Sequence, residues 1–373
     1  MQRILMVVNI MDRGGVETLL MNIYRNIDRS KFQFDFLEHP FRKSYIAEYE
    51  KEITALGGRI YKAPRFIKNP IQYWRFISHL LKKHPEYKII HGHNLDTCAM
   101  VYMLIAKIYG RTVIAHSHNT RDAGNFLKRC LTKASKLFIS RIPDYYFACS
   151  RQAGIFAYGE RICNSNKFTV IHNGIDLSRF HNNRNDRSIA KKHLFLHDSG
   201  FIIGNVGRLY PQKNQKFLLD IFSEILKIKS DSTLAIIGKG RLETELKAYA
   251  KSLGIESHVM FVGSVPNVSE YLRAFDLFLF PSVYEGIALA SIEAQASGLP
   301  LLISDTIDPD CICVPAAVSV MKLNDNPKLW AMKAVSMIEN HKSYDACVSL
   351  VKQAGYDIHD VSTFLINFYT NLV

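Results

Sequence analysis

The stretch DLFLFPSVYEGIALASIEAQASG, residues 276–298, predicts one unit of an α/β fold: a strand, an exit loop and a helix. An unbroken apolar run such as LFLF is typical of a strand buried on both faces of a parallel sheet. The small residues that follow predict a helix whose N-terminus can come close to a ligand. Two carboxylates, Glu285 and Glu293, lie in this apolar stretch. Because an unpaired buried carboxylate is costly, each must be paired, hydrogen-bonded or functional.

The alternation of strand and helix recurs along the whole chain. Apolar runs predict strands at 4–10, 32–38, 88–93, 112–118, 144–150, 168–173, 201–208, 233–240, 259–263, 276–282 and 300–304. Strands separated by helical patterns are typical of doubly wound parallel sheets with right-handed crossovers. We therefore predict two Rossmann-like domains that face each other across a cleft, where the carboxyl ends of both sheets bind ligands.

The predicted domain boundary lies in a polar, turn-rich segment at 172–188. A chain of 373 residues is longer than one ordinary core, which favours two domains. We predict an N-terminal domain at 1–172 and a C-terminal domain at 173–355. The remaining segment, 356–373, carries an amphipathic helix that we expect to pack back on the N-terminal domain.

The composition is that of a globular protein, with 48% hydrophobic and 22% charged residues. No run of 18 apolar residues is present, and the apolar run Ile4–Val8 is too short for a secretory signal. The seven cysteines have no Cys-x-x-Cys spacing, which disfavours a zinc or redox motif and indicates free thiols. We therefore expect a cytoplasmic protein without a membrane span.

The net positive charge of the chain comes entirely from its first half. Residues 1–176 contain 27 Lys and Arg against 14 Asp and Glu, whereas residues 177–373 contain 20 of each kind. Such asymmetry predicts that the first half faces an anionic partner. A nucleic acid, a membrane surface or a phosphorylated substrate would each fit, and a solvated basic surface without a partner is the alternative.

Two segments favour an anionic membrane surface. FLKRCLTKASKLFISR (126–141) and RFIKNPIQYWRFISHLLKKH (65–84) combine several cations with large apolar side chains. This composition is typical of basic interfacial helices, although core-packed helices with solvated basic faces would have the same composition. We expect peripheral attachment to the inner face of the plasma membrane.

The loop MDRGGVET (11–18) follows the first predicted strand. Loops in this position bind phosphate through backbone N–H groups and the following helix dipole. Gly14 and Gly15 would let the backbone approach a ligand closely. The spacing is not G-x-G-x-x-G, so the dinucleotide fingerprint is absent, and a plain tight turn is an equal reading of the pair.

The loop GNVGRLYPQKNQ (204–215) carries Arg208 and Lys213 at the carboxyl end of another predicted strand. Two cations in this position suit a diphosphate, because Arg offers bidentate hydrogen bonds and Lys a point charge. The alternative is a pair of ordinary surface cations.

The two carboxylates of the opening stretch occupy different positions. Glu285 lies in the exit loop, and Glu293 lies roughly two turns into the helix if that helix starts near Ile287. Carboxylates are good acceptors for the vicinal hydroxyls of a ribose or a hexose. The alternatives are a helix-start acid at Glu285 and a buried salt bridge at Glu293.

Four histidines end two of the predicted strands. His91 and His93 end one strand, and His116 and His118 end the next. Residues two apart on a strand point the same way, so each pair shares a face. Four histidines could hold a metal, but no carboxylate ligand is evident beside them. A neutral imidazole could instead hydrogen-bond a sugar or take part in proton transfer.

These motifs together resemble a known family. FPSVYEGIALASIEAQASG closely resembles the E-x7-E signature of the GT4 glycosyltransferases, which have the GT-B fold. GGVETLLMNIYRNID, VIHNGID, VGRLYPQKN, IIGKG and FVG also occur in the order found in that family. The resemblance covers almost the whole chain and is greatest to bacterial members that build exopolysaccharide or capsule.

The resemblance implies transfer of a hexose-type sugar from a UDP- or GDP-linked donor to a glycan or lipid-linked saccharide. It implies retention of anomeric configuration, no metal or other cofactor, and no nucleic-acid partner. The N-terminal domain would bind the acceptor and the C-terminal domain the donor. Two alternatives are a sugar-nucleotide epimerase of the same architecture, which needs no basic acceptor surface, and a non-catalytic nucleotide-sugar binding protein.

The resemblance also implies residue roles. Arg208 and Lys213 match the pair that neutralises the leaving diphosphate, Glu285 the residue that contacts the donor sugar, and Glu293 the residue that holds the ribose hydroxyls. The remaining matches are the donor contacts Gly286, Ile287, Ala288, Leu289, Ala290, Gly263 and Val265, and the N-domain residues Gly14, Gly15, His93, His116 and His118. Alignment by strand ending favours His118 as the active-site histidine, with His116 its neighbour. The family usually has Gly or Pro in place of Ala288, so we expect modest retuning of sugar contacts.

Overall fold

The computed structural model describes the chain apart from residues 13, 41–44, 119–134, 137, 181–188, 192–199, 266, 286, 341–346 and 373. The chain divides into two compact units. Unit 1 comprises Met1–Ile175 and Asp357–Val373, and unit 2 comprises Asp176–Tyr356. Each unit has its own parallel sheet and its own hydrophobic core.

Unit 1 is built on a seven-stranded sheet with the order β3-β2-β1-β4-β5-β6-β7. All of its strand pairs are parallel. Its elements are β1 (Gln2–Val8), α1 (Gly15–Asn26), β2 (Phe32–Glu38), α2 (Glu50–Ala55), β3 (Ile60–Lys62), α3 (Pro70–Lys83), β4 (Tyr87–Gly92), α4 (Thr97–Ile108), β5 (Thr112–Ser117), β6 (Tyr145–Ala148), α5 (Arg151–Tyr158), α6 (Glu160–Cys163) and β7 (Phe168–Val170).

Strand β1 shows why the unbroken apolar runs predict doubly covered strands. Ile4, Met6 and Val8 belong to the core on one face of the sheet, whereas Leu5 and Val7 belong to the core on the other face. Because alternate side chains point to opposite faces and both faces are covered, six of the seven positions of β1 are buried. The first predicted strand, like most of the others, is thereby confirmed.

The chain returns to unit 1 for its last helix, α13 (Ile358–Thr370). Ile358 N donates a hydrogen bond of 3.0 Å to Ile175 O where the chain re-enters. Val361, Leu365 and Tyr369 are buried in the same core as residues of β1 and β2. The C-terminal helix therefore covers one face of the unit 1 sheet.

Unit 2 has a six-stranded parallel sheet with the order β10-β9-β8-β11-β12-β13. Its elements are β8 (Ile202–Val206), α7 (Gln215–Ile228), β9 (Thr233–Ile237), α8 (Glu243–Ser252), β10 (Val259–Gly263), α9 (Val268–Ala274), β11 (Leu277–Phe280), α10 (Leu289–Ala296), β12 (Leu301–Ser304), β13 (Val318–Met321), α11 (Pro327–Glu339) and α12 (Cys347–Gln353). Strands β8 and β11 are neighbours, so the loop that follows β8 and the loop that follows β11 lie side by side.

Two features of the secondary structure differ from the sequence prediction. The edge strands β3 and β13 were not predicted, because each is partly exposed and lacks the unbroken apolar run that marks the central strands. Helix α10 begins at Leu289 rather than near Ile287, so Glu293 lies just over one turn into the helix and not two.

Among the described residues, no helix combines the length and the apolar character needed to cross a membrane.

Candidate active site

The loop after β8 in unit 2 holds both predicted cations. Arg208 follows the strand, and Lys213 is the last residue of a short 3₁₀ turn. Asn214 then adopts a left-handed conformation, with φ of 56°, and its Nδ2 donates to Pro281 O at 3.1 Å. Gln215 Nε2 donates to Arg208 O at 3.1 Å. These side-chain hydrogen bonds tie the loop to its own helix and to the end of β11.

The Glu285 carboxylate is paired with Lys213. Lys213 Nζ lies 2.7 Å from Glu285 Oε1, and the two side chains are only 16% and 6% exposed. Gln212 Nε2 donates to Glu285 Oε2 at 3.3 Å and to Tyr284 O at 3.0 Å. Lys213 Nζ also lies 4.7 Å from the Phe280 ring centroid. Because little water reaches the pair, its charges interact strongly with each other and with any bound anion.

Further cations lie at the same edge of the sheet. The guanidinium carbons of Arg208 and Arg241 lie 5.4 and 5.5 Å from the ring centroid of Tyr210. A Cβ placed on Gly263 would lie 3.5 Å from Lys239 Cε. Tyr210, Lys239 and Arg241 are not among the site residues predicted from the sequence. The sequence IIGKGR carries two of them, but only the pairing of β8 with β9 shows that they lie beside Arg208.

Glu293 is half-buried and has no strong partner among the described residues. Burial raises the pKa of its carboxyl from 4.5 to about 7, and the positive charge of Arg179 only partly opposes this rise. Arg179 itself forms an ion pair with Asp176 at 3.0 Å. Among the described residues no side chain hydrogen-bonds to the Glu293 carboxylate, so the predicted alternative of a buried salt bridge is not found there. Its oxygens remain able to accept hydrogen bonds from a ligand.

The helix that carries Glu293 starts without a side-chain cap. Ala288 is the N-cap residue and is 2% exposed, and its methyl group cannot accept a hydrogen bond. The first N–H groups of a helix lack intrahelical partners, and they attract anions. Ile287, Leu289 and Ala290 lie at this helix start, whereas Gly286 lies outside the described residues.

The predicted base contacts lie at the end of β10, two strands from β8 in the sheet. Gly263 ends β10 with φ of +82°, a conformation that favours glycine, and its carbonyl accepts from Gly238 N at 2.8 Å. Val265 follows two residues later and is half-buried. Their contact with a base stays a prediction.

In unit 1 the four histidines form one stack. The ring centroids of His91 and His93 are 4.2 Å apart, and those of His116 and His118 are 4.1 Å apart. A hydrogen bond of 3.0 Å joins His93 Nδ1 and His118 Nε2. Burial lowers the pKa of His91 to about 3 and that of His118 to about 4, so both are neutral near pH 7. His116 and His118 both belong to the stack, so the assignment of the active-site histidine to His118 stays a prediction.

The glycine pair opens helix α1. Gly14 is the N-cap residue and Gly15 the first helical residue. Among the described residues, no atom lies within 4 Å of the position that a Cβ on Gly15 would take. The preceding loop is fixed by Met11 N, which donates to the buried Glu38 Oε1 at 2.9 Å. The structure thus leaves space beside Gly15, and a ligand there stays a prediction.

The pair of Rossmann-like sheets is the architecture of the GT-B glycosyltransferases. The structure of HepE from Anabaena, in complex with UDP, aligns with a TM-score of 0.80 over all of both chains at 17% identity. A structure of the same protein with UDP-glucose aligns with a TM-score of 0.77 over all of both chains at 17% identity. These similarities show the shared fold.

Sequence comparison shows the family. The profile described as Glycosyltransferase Family 4 matches residues 13–179, and the profile described as Glycosyl transferases group 1 matches residues 186–353. A protein of Bacillus subtilis named as a glycosyltransferase, EpsF, is 31% identical over 99% of this chain and 96% of its own length. The chain belongs to the family 4 glycosyltransferases. The protein is therefore a glycosyltransferase and not an epimerase.

Two further relatives have more specific names. The capsular polysaccharide biosynthesis glycosyltransferase CapH of Staphylococcus aureus is 26% identical over 92% of each chain. An Escherichia coli enzyme is 29% identical over 62% of this chain and 61% of its own length. It is named UDP-Gal:alpha-D-GlcNAc-diphosphoundecaprenol alpha-1,3-galactosyltransferase.

Proposed function

We propose that the protein transfers a hexose-type sugar from a UDP- or GDP-linked donor to a lipid-linked or oligosaccharide acceptor, with retention of anomeric configuration. The product would enter exopolysaccharide or capsule. The observation that carries this proposal is the Lys213–Glu285 pair at 2.7 Å, beside Arg208 and the start of α10. The names of the EpsF, CapH and Escherichia coli relatives support the polysaccharide setting and a lipid-linked acceptor.

Unit 2 supplies the chemistry needed to release a diphosphate. Negative charge grows on the phosphate oxygens as the sugar–phosphate bond breaks, and fixed positive groups stabilise it without reorganisation of water. Arg208 offers bidentate hydrogen bonds, and the uncapped N–H groups of α10 add a partial positive charge. Lys213 has three N–H donors, so it can keep Glu285 and still reach a phosphate oxygen.

Glu285 and Glu293 would orient the donor. The Glu285 carboxylate is fixed by Lys213 and Gln212, and its free lone pairs can accept from a hexose hydroxyl. Glu293 would accept from the two ribose hydroxyls. In this scheme the acceptor hydroxyl attacks the face that the diphosphate leaves, and its proton passes to the departing phosphate oxygen. The transfer then needs neither a carboxylate base nor a metal ion.

A donor panel tests the proposal. Thermal shift with UDP- and GDP-sugars identifies the donor, because a ligand that binds the folded state stabilises it. The identified donor, labelled in the sugar, is then incubated with and without a diphosphate-linked lipid saccharide. We expect the labelled sugar to be transferred to the lipid saccharide when the protein, the donor and the acceptor are incubated together, and the donor to stay unchanged when the acceptor is left out. Binding without transfer to any acceptor, or conversion of the donor alone to another sugar, would contradict the proposal.

Glu293 should make donor binding depend on pH. Hydroxyl donors favour the ionised carboxylate, so binding lowers a pKa that is about 7 in the free protein. Affinity should therefore rise up to about tenfold from about pH 6 to about pH 8, by linkage. Calorimetric titration with the intact nucleotide sugar measures this, because its diphosphate has no ionisation near neutral pH.

Glu293→Gln is the control for this pH dependence. The amide keeps the shape of the side chain but cannot titrate, so the variant should bind more weakly at pH 8 and show a flat pH profile. An unchanged slope in Glu293→Gln would exclude Glu293 as the titrating group.

Tyr210 should act by positioning Arg208. A cation–π contact at an exposed site is worth about 0.5–1 kcal/mol, so Tyr210→Leu should lower turnover about two- to fivefold. Tyr210→Phe keeps the ring and should retain turnover. Initial rates at saturating donor measure both variants. Equal rates in the Leu and Phe variants would show that the ring face has no role.

For the cellular location we propose peripheral attachment of unit 1 to an anionic membrane surface. Before and along helix α3, Ile67 is 84% exposed, Ile71 65% and Trp74 39%. Lys68 and Arg75 are exposed beside them. An apolar stripe flanked by cations fits the interface of an anionic bilayer. Most of the second predicted interfacial segment, 126–141, lies outside the described residues.

Vesicle flotation tests the membrane proposal. We expect the protein to float with anionic vesicles at low salt, to be released at high salt, and not to float with neutral vesicles. The triple variant Lys68→Gln, Arg75→Gln, Trp74→Ala should bind more weakly. Lys251→Gln, which removes an exposed cation of unit 2, should not. Absence of flotation with anionic vesicles at low salt would refute the proposal.

A further inference from the structure

The histidine stack of unit 1 contains buried nitrogens that no residue of the described chain satisfies. His91 and His116 are each 1% exposed. The ring nitrogens without a hydrogen-bond partner among the described residues include His91 Nε2, His93 Nε2, His116 Nδ1 and His116 Nε2. A buried polar atom without a partner is costly, so four such atoms in one place call for a ligand.

We propose that His91, His93 and His116 bind one divalent transition-metal ion of the zinc type. A ring nitrogen of each histidine lies within 4.8 Å of one from each of the other two. Imidazole nitrogen is a preferred ligand of zinc, nickel, copper and cobalt, whereas magnesium and calcium prefer oxygen. Three protein nitrogens leave the remaining coordination positions for water.

The hydrogen bonds around the stack fit this role. His91 Nδ1 lies 2.6 Å from Tyr369 Oη, and His93 Nδ1 lies 3.0 Å from His118 Nε2. Each bond uses Nδ1 of the ring, so Nε2 of His91 and Nε2 of His93 remain available as metal ligands. Histidines that bind a metal commonly donate their other N–H to a neighbour, which fixes the tautomer and the orientation of the ring. Tyr369 and His118 are therefore the outer partners of the proposed site.

Binding requires some rotation of the rings. The ring planes of His91 and His116 differ by only 13°, and an imidazole nitrogen binds an ion in the plane of its ring, so the rings must turn to direct their nitrogens at one ion. In a tetrahedral zinc site with bonds of about 2.0–2.1 Å, ligand nitrogens are about 3.4 Å apart. Both nitrogens of His116 lack a partner, so this ring can turn toward the ion without breaking a hydrogen bond.

The proposed ion would join two neighbouring strands of unit 1. His91 lies in β4 and His116 in β5, and Gly92 pairs with Ala115 between them. A ligand that binds only the folded state raises its stability, so the ion should stabilise unit 1. The proposed release of the diphosphate uses groups of unit 2 and no metal. The metal site is therefore a separate proposal, tested by metal binding and not by sugar transfer.

Metal titration of the full chain tests the site. Chelator-treated, dialysed protein is titrated with Co²⁺, which takes the same ligands as Zn²⁺ and absorbs visible light at low coordination number. We expect one Co²⁺ per chain, displacement of its absorption by Zn²⁺, and a higher melting temperature with either ion.

Variants locate the ion. His93→Gln and His116→Gln should each weaken Co²⁺ binding at least about tenfold, and Tyr369→Phe, which keeps the ring and all three ligands, about tenfold. His79→Gln replaces an exposed histidine of α3 in the same unit and should bind like the wild type. Circular dichroism checks that each variant is folded.

Two results would overturn the proposal. The first is a wild-type protein that gives no Co²⁺ absorption and retains no Zn²⁺ after dialysis, a result that needs no variant to interpret. The second is metal binding that is equally tight in folded His93→Gln, Tyr369→Phe and the wild type, which would place the ion elsewhere.

Discussion

Replacing Arg208 or Lys213 with Ala should lower the rate of sugar transfer about 10²-fold or more, the typical effect of removing one preorganised electrostatic donor. Both cations would stabilise the charge that grows on the leaving diphosphate. The rate is measured at saturating donor and acceptor. Lys227→Ala, which removes a 68% exposed cation from helix α7 of the same unit, should be unaffected.

Lys213 needs a second variant, because its loss leaves the buried Glu285 carboxylate without its ion-pair partner. Removing one partner of a buried ion pair typically costs about 3–5 kcal/mol of stability. The double variant Lys213→Met, Glu285→Gln removes both charges, so it should regain stability while activity stays low. Activity within twofold of wild type in Arg208→Ala would exclude the diphosphate role of Arg208. The same result in the folded double variant would exclude the diphosphate role of Lys213.

Replacing Glu285 with Ala should mainly lower turnover, by about 10²-fold, while donor affinity changes little. Its carboxylate is fixed beside Lys213, where it would orient the donor sugar as the bond breaks. Glu293→Ala should do the opposite and mainly weaken donor binding. Single-turnover rates and calorimetric affinities separate the two effects.

Glu285→Gln provides a control of matched shape, because the amide oxygen can still accept from Gln212. Its free energy of unfolding should fall less than that of Glu285→Ala, whereas its turnover should remain low. Near-wild-type rates and affinities in both Glu285→Ala and Glu293→Ala would refute the assignment of these carboxylates.

Much of the fold could be predicted because central parallel strands are buried on both faces. The run Leu277–Phe280, for example, is completely buried and has no polar position to obscure it. Edge strand β13 could not be predicted, because Val318–Met321 is partly exposed and Ser319 interrupts its apolar run. The start of α10 was misplaced by two residues, since Ala288 has no side-chain cap to mark it.

The sequence predicts which residues belong to the site, but not which of them contact one another. Arg208, Lys213 and Glu285 were chosen from strand ends and from the family resemblance. The ion pair between Lys213 and Glu285 depends on β8 and β11 being neighbours, which the order of strands in the sequence does not show. The contact of Tyr369 with His91 likewise depends on the return of the last helix to unit 1.

The stereochemistry of the product directly tests the proposed sugar transfer with retention of anomeric configuration. The identified donor and acceptor are incubated with the protein without added divalent ions, and the anomeric proton of the transferred sugar is followed by ¹H NMR. We expect a product with the same anomeric configuration as the donor, formed by the wild type and nearly absent with Arg208→Ala. An inverted product, or equal transfer by Arg208→Ala, would contradict this expectation.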